Sequence, residues 1–200
     1  LGAMAARLPG ALAGADLVVA GAPGEAPWRL TALVRDHGGY LNLSRLLTHA
    51  WMEGHRQEGG VAVRPEWVRE CGSGLILLAG RESLAGRLAG ENRHDLAEQQ
   101  LADWQRDFDG NLCLELTRTG REGEEAFNRF ALHASAARGI PVVASNDVRF
   151  LDRAGFDAHE ARVCIASGRV LDDPRRPRDY SPEQYLKSAD EMAALFADVP

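Results

Sequence analysis

The chain contains 200 residues, of which 45% are hydrophobic and 26% are charged, a length and composition that predict one globular domain with a substantial core. Its formal net charge of −6 argues against a domain that holds nucleic acid through its overall field, because phosphate binding needs concentrated Lys and Arg. No apolar run approaches the roughly 20 residues that span a bilayer, and no secretory signal opens the sequence. A cytoplasmic location without a membrane partner is therefore expected.

Short apolar runs alternate with amphipathic stretches along the chain. Runs that are rich in Val, Leu or Ile and bounded by Gly, Asp or Pro predict strands, and they lie at 15–20, 28–34, 74–79, 112–116 and 141–145. Helical spacing of apolar residues predicts helices at 38–54, 122–139 and 157–168.

The segments from 112 to 145 form a strand–helix–strand unit. Such a βαβ crossover implies a parallel sheet, and its repetition predicts an α/β layer or barrel. In folds of this kind ligands bind at the carboxyl ends of the strands. The loops 21–27, 117–123 and 146–150 follow predicted strands and are therefore the candidate positions for chemistry.

Asp147, in the stretch NDVRF (146–150), is a candidate metal ligand or general base at a strand end, although an aspartate there can equally cap the next turn. A transition metal would need further ligands, preferably imidazoles. In HEARV (159–163) a valine stands where the second histidine of a zinc helix belongs, so a packed or capping His159 is the favoured interpretation. The three arginines and three aspartates of 172–179 predict a solvated, internally paired loop, and a local patch that binds nucleic acid is the alternative.

The three cysteines, Cys71, Cys113 and Cys164, are odd in number and far apart. This spacing fits neither a disulfide framework nor a C-x-x-C metal site, and we expect reduced, mostly buried thiols.

Four segments resemble a known family: GGYLNLSRLL (38–47), RPEWVRECGSGLILLAG (64–80), LCLELTRTGREGEEAFN (112–128) and 138–198, which begins RGIPVVASNDVRF. They resemble the polymerase-and-histidinol-phosphatase (PHP) domain of the bacterial, proteobacterial-type DNA polymerase III alpha subunit. The resemblance implies an α/β fold of the PHP type, a distorted TIM-like (β/α)7 barrel that is incomplete at its N-terminus. Residues 1–200 would form a partial PHP domain, without the first strands and the downstream polymerase domains.

The resemblance also implies where the family's metal ligands would stand. A glutamate after an early strand, a histidine at the next strand, a D-H-G and a D-V-H correspond here to Asp16, Arg29, Thr119 and the pair Asp147 and Arg149. Only Asp147 matches outright, and Asp16 is a shorter carboxylate. Because a guanidinium has no lone pair to donate and stays cationic, we expect vestigial positions that hold no metal, with Arg149 paired to Asp147.

Two functions follow from the resemblance. The first is a catalytically silent scaffold within a DNA-directed DNA polymerase, which docks the proofreading 3′–5′ exonuclease subunit and joins other replicase subunits. DNA and Mg²⁺ would then be bound by the parent chain, and the fragment itself would need no cofactor. The second is a residual metal-dependent phosphoesterase, a 3′–5′ exonuclease or a pyrophosphatase, with Asp147 as the surviving ligand.

Exposed tryptophans are candidates for the docking surface of the scaffold, although a tryptophan more often lies in the core. The candidates are Trp28, Trp51, Trp67 and Trp104.

Overall fold

The computed structural model describes residues 12–54, 56–57, 60–108, 110–176 and 178–199. Residues 1–11 of the predicted partial PHP domain lie outside these described residues. The strands of the described chain are β1 (Gly14–Val19), β2 (Trp28–Val34), β3 (Arg56–Gln57), β4 (Gly60–Val63), β5 (Leu75–Ala79), β6 (Leu112–Thr117) and β7 (Val142–Ser145).

The helices of the same residues are α1 (His37–Glu53), α2 (Pro65–Glu70), α3 (Leu84–Gly90), α4 (His94–Phe108), α5 (Glu124–Arg138), α6 (Phe156–Ala166) and α7 (Ala189–Leu195), with a 3-10 turn at Arg153–Gly155. All the predicted strands and helices are confirmed. Side-chain caps define several helix starts, because a cap satisfies a backbone N–H that has no partner within the helix. Asp36 accepts from Gly39 N of α1 at 2.9 Å, and Ser188 forms a capping box with Glu191 of α7.

The strands form one sheet in the order β3-β4-β1-β2-β5-β6-β7. The predicted parallel arrangement holds where β1 pairs with β4 and where β5 pairs with β6. It is wrong for β2, which is antiparallel to both β1 and β5. The connection from β1 to β2 spans only residues 20–27, which is too short for a crossover helix. The sheet is therefore mixed.

The chain divides into two compact units: Leu1–Glu115 with Phe130–Val143, and Leu116–Arg129 with Ala144–Pro200. The first unit has an apolar core of strand and helix residues, in which the Trp28 and Trp104 rings lie 5.0 Å apart. Trp67 is also buried, whereas the Trp51 side chain is 68% exposed.

The second unit has a different interior, because it buries polar side chains. Except for Ser83, all the buried polar or charged residues of the described chain belong to this unit: Thr119, Glu124, Asn128, Asn146, His159, Glu160 and Gln184. Burial of a polar group costs free energy unless the group is hydrogen-bonded. The buried polar residues of the second unit are therefore the candidates for a functional site.

The cysteines are free thiols as predicted, with Cys71 and Cys164 buried and Cys113 partly buried. Among the helices of the described residues, none is both long and apolar enough to cross a lipid bilayer.

Candidate functional site

The carboxylate of Asp147 is held on both of its oxygen atoms. Arg149 Nη2 lies 2.6 Å from Oδ1, which confirms the predicted ion pair. Arg121 Nη1 lies 2.8 Å from Oδ2, and Gln184 Nε2 donates to the same oxygen at 3.0 Å. Charge-assisted hydrogen bonds of this kind are about twice as strong as neutral ones.

Asp147 follows β7 by two residues and has a backbone φ of 41°. This left-handed conformation is unfavourable for most side chains but is tolerated by Asp and Asn. Gln184 Nε2 also donates to the backbone oxygen of Asp147 at 3.1 Å. The turn at the end of β7 is thus held through both its main chain and its side chain.

Arg121 is positioned by the loop between β6 and α5. Its Nε donates to Thr119 Oγ1 at 3.0 Å and lies 3.3 Å from Glu124 Oε1. The Glu124 side chain is almost fully buried. It accepts from the Thr119 backbone N–H at 2.7 Å, the Gly120 N–H at 3.0 Å and the Thr117 hydroxyl at 3.0 Å.

The Thr119 hydroxyl donates to Glu124 at 2.6 Å. Burial alone would raise the pKa of Glu124, but the hydrogen bonds from Thr119 and Thr117 and the charge of Arg121 together lower it. Glu124 is therefore an ionised acceptor that organises this loop.

A third segment, residues 181–187, completes the site. The Ser181 hydroxyl donates to the Thr119 carbonyl, and Asn146 Nδ2 donates to the carbonyls of Glu183 and Tyr185 at 2.8 and 2.7 Å. The backbone N–H of Arg149 donates to Gln184 O at 2.8 Å. The completely buried Gln184 therefore links this segment to the turn that carries Asp147.

The predicted site residues fall in different units. Thr119, Asp147 and Arg149 lie in the second unit, where Thr119 bonds Arg121 and Glu124. Asp16 and Arg29 lie in the first unit. There, Asp16 Oδ1 accepts from Thr31 Oγ1 at 2.7 Å, and Arg29 Nε lies 3.3 Å from Glu82 Oε2.

Sequence reasoning missed Arg121, Glu124 and Gln184. The predicted loop 117–123 contains Arg121, and an arginine after a strand end was an available signal. Glu124 follows directly as the first residue of α5. No local pattern marks Gln184, because its role depends on a segment that is distant in sequence.

The PHP resemblance implies a bound metal, and the geometry around Asp147 shows whether these residues could bind one. Divalent ions need several oxygen or nitrogen donors with free lone pairs. Here both carboxylate oxygens already accept from guanidinium groups, and a cation about 4 Å from another costs about 4 kcal/mol at an effective dielectric constant near 20. These residues do not fit a metal ion. Across the residues that the structure describes, no group of three or more His, Cys, Asp or Glu side chains could hold a metal.

His159 is buried, as the sequence predicted, and its Nδ1 lies 3.1 Å from Arg162 Nη2. Burial, and then the charge of Arg162, lower the pKa of His159. In the following loop, Arg175 pairs with Asp173 at 3.2 Å, as predicted. The prediction is wrong for Arg176, which pairs outside the loop with the buried Glu160 and whose side chain is only 13% exposed.

Comparison with known proteins identifies the family of the chain. The family described as "PHP domain" matches residues 6–119. The chain is 65% identical over 189 residues to the DNA polymerase III subunit alpha of Xylella fastidiosa, which covers 94% of the chain and 16% of that protein.

Similar proteins named DNA polymerase III subunit alpha are found in Escherichia coli, at 45% identity over 86% of the chain and 15% of that protein, and in Pseudomonas aeruginosa, at 41% identity over 94% of the chain and 16% of that protein. The chain thus spans about one sixth of the length of these relatives. The predicted α/β fold of the PHP type is confirmed by the family match and by the mixed sheet with its helices. The chain belongs to the PHP domain family.

Proposed function

We propose that the chain is a catalytically silent PHP portion of the alpha subunit of a bacterial replicative DNA polymerase. The observation that carries this proposal is the carboxylate of Asp147, whose two oxygens are held by Arg121 and Arg149. Asp16, Arg29, Thr119, Asp147 and Arg149 are then vestigial positions of a former metal site. Support for the parent protein comes from the names of the relatives.

DNA synthesis, contact with DNA and the Mg²⁺ that nucleotide transfer requires then belong to other parts of the longer polypeptide, in the cytoplasm. A PHP portion without hydrolytic activity still serves as a scaffold for binding other subunits. We propose that it docks the separate proofreading 3′–5′ exonuclease subunit, which supplies the hydrolysis that this portion has lost.

Trp51 is the first residue to test for docking. It lies near the end of α1, and its side chain is 68% exposed. Large aromatic residues are over-represented among the residues that dominate binding energy. In binding assays with the exonuclease subunit, we expect the full-length wild-type polypeptide to bind and Trp51→Ala to weaken that binding more than Leu96→Ala. Absence of binding by the wild type would exclude the scaffold role.

Metal content tests catalytic silence. The full-length polypeptide that contains this chain is expected to carry no stoichiometric zinc or manganese in the PHP portion after purification with either metal present. The Arg149→His variant is expected to carry none either, because Arg121 still occupies Oδ2 of Asp147. Replacing one ligand position alone does not assemble a site.

The alternative is a residual phosphoesterase. It predicts tightly bound metal, together with hydrolysis of DNA 3′ ends or of pyrophosphate that is lost in Asp147→Ala. That combination of results would overturn catalytic silence, since it would require the Asp147 carboxylate to release both arginines and to bind a metal.

A further inference from the structure

Helix α6 buries two polar side chains and exposes one large aliphatic side chain. His159 and Glu160 are 5% and 4% exposed, whereas the Ile165 side chain of the same helix is 81% exposed. A surface helix ordinarily buries its aliphatic residues and exposes its charged ones. The exposure of Ile165 therefore needs an explanation.

The turn after α6 adds two more aliphatic side chains. Gly168 has a φ of 64°, and the Arg169 N–H donates to Cys164 O at 2.8 Å, an arrangement that ends helices through a left-handed glycine. This bond returns the chain to the end of α6. Val170 and Leu171 follow and are 67% and 47% exposed. We name Ile165, Val170 and Leu171 the α6 patch.

Hydrogen bonds and ion pairs hold the α6 patch in place. The Asp173 N–H donates to Val170 O at 3.1 Å, and Arg176 Nε donates to Leu171 O at 2.9 Å. Arg176 also pairs with the buried Glu160 of α6. The aliphatic side chains are thus presented by a fixed backbone, and a preorganised surface loses little conformational entropy on binding.

The charged groups next to the patch are engaged in ion pairs with one another. Asp173 pairs with Arg169 at 3.3 Å and with Arg175 at 3.2 Å, and Glu160 pairs with Arg176. Three arginines thus share two carboxylates, which leaves one net positive charge for an acidic peptide or a nucleic acid to bind. Aliphatic surfaces with few available charges are characteristic of permanent interfaces.

The lengths of the relatives indicate what covers the patch. The chain matches 16% of the Xylella fastidiosa protein, so most of such a polypeptide lies outside the matched region. We propose that the α6 patch is buried against an apolar surface of another part of the same long polypeptide. This inference rests on the proposed function in one respect, namely that the chain belongs to a polypeptide as long as its relatives.

Photo-cross-linking in the full-length polypeptide tests this directly. A benzophenone amino acid is introduced at position 165 and, as a matched control, at position 52, where Met52 is 79% exposed in the first unit. At high dilution, we expect position 165 to form cross-links within one polypeptide, to peptides outside residues 1–200. Cross-links to a second copy or to the exonuclease subunit, or a yield no higher than at position 52, would overturn the proposal.

Charge substitution gives a second measurement. Ile165→Glu in the full-length polypeptide should accelerate limited proteolysis at the borders of the PHP portion by about tenfold, because opening of the interface exposes them. Met52→Glu should leave the cleavage rate unchanged. If Ile165→Glu fails to fold, the milder Ile165→Ala and Leu171→Ala variants are measured in its place. Equal rates for wild type and all the patch variants would show that the patch is exposed to solvent.

The cross-linking result is independent of metal binding. Bound manganese at Asp147 would overturn catalytic silence and leave the α6 patch interface intact. Failure of the cross-links, with no metal bound, would overturn only the interface.

Discussion

Arg121 and Asp147 form an ion pair between the loop that precedes α5 and the turn that follows β7, with Nη1 and Oδ2 2.8 Å apart. Arg149 binds the other oxygen of the same carboxylate. Arg121 also pairs with the ionised Glu124 at 3.3 Å. Removal of the Asp147 carboxylate therefore leaves Arg149 without this partner and one positive charge uncompensated.

Asp147→Ala is expected to destabilise the protein and to remove no activity. The loss should be about 3 kcal/mol, from stranded charge-assisted bonds and from alanine in a left-handed backbone conformation. Asp147→Asn keeps the backbone preference and an acceptor oxygen, and should lose about half as much. Denaturant unfolding measures both, with the exposed Asp179→Ala as control. An unchanged unfolding midpoint in Asp147→Ala would refute a structural role for the ion pairs.

Glu124→Ala should destabilise the protein at least as much as Asp147→Ala. It leaves the N–H groups of Thr119 and Gly120 and the Thr117 hydroxyl without their acceptor, and we expect a loss of about 3–4 kcal/mol in the free energy of unfolding. The matched control is Glu125→Ala, on the next residue of α5, whose side chain is 93% exposed. Equal effects of the two substitutions in denaturant unfolding would contradict the assigned role.

The contact between Arg118 and Asp198 should make stability depend on acid pH. The hydrogen bond from Arg118 lowers the pKa of Asp198 from 3.8 to about 2. A carboxyl whose pKa is lower in the folded state stabilises the fold above its unfolded pKa, and loses this contribution as the pH falls towards the folded pKa.

Asp198→Asn should therefore flatten the decline of the melting temperature between about pH 4 and about pH 2. Asp179→Asn serves as the control. If the melting temperatures of wild type and Asp198→Asn decline equally with pH across this window, the contact is absent in solution.

Arg87 should control the mobility of the loop from β1 to β2. Its Nη1 donates to the carbonyls of Ala26 and Pro27 at 2.7 and 3.1 Å. Arg87→Ala frees both carbonyls, so hydrogen–deuterium exchange of peptides that cover 20–27 should become faster. Global stability should change by only about 1 kcal/mol.

For this loop, Arg93→Ala is the matched control, because Arg93 forms an exposed pair with Glu91 in the same unit. Slower or unchanged exchange in Arg87→Ala would contradict the role of the two hydrogen bonds.

The sequence predicted the strands that border the site, because each is a short apolar run with clear ends. The predicted direction of β2 was wrong, although the short connection at 21–27 between two predicted strands leaves no room for a crossover helix and indicates an antiparallel pair. The two-residue β3 and the six-residue α2 are too short to produce a periodic signal.

At the site, the pair of Asp147 and Arg149 was predictable because the two residues are close in sequence. The ion pair of Arg121 with Asp147 was not predictable, because it requires the loop after β6 to meet the turn after β7. Gln184 was hidden for the same reason, and nothing in its neighbours distinguishes it from a surface glutamine. Side chains that act across long sequence separations become visible only in the fold.

The backbone at position 147 limits which amino acids can stand there. At a φ of 41°, glycine, asparagine and aspartate are the comfortable choices, and a β-branched or bulky residue would be strained. Among these three, only aspartate brings a negative charge to the adjacent arginines. Under the proposed function, the shape of the main chain and the two neighbouring cations are therefore sufficient reasons for an acidic residue to stand at a position that binds no metal.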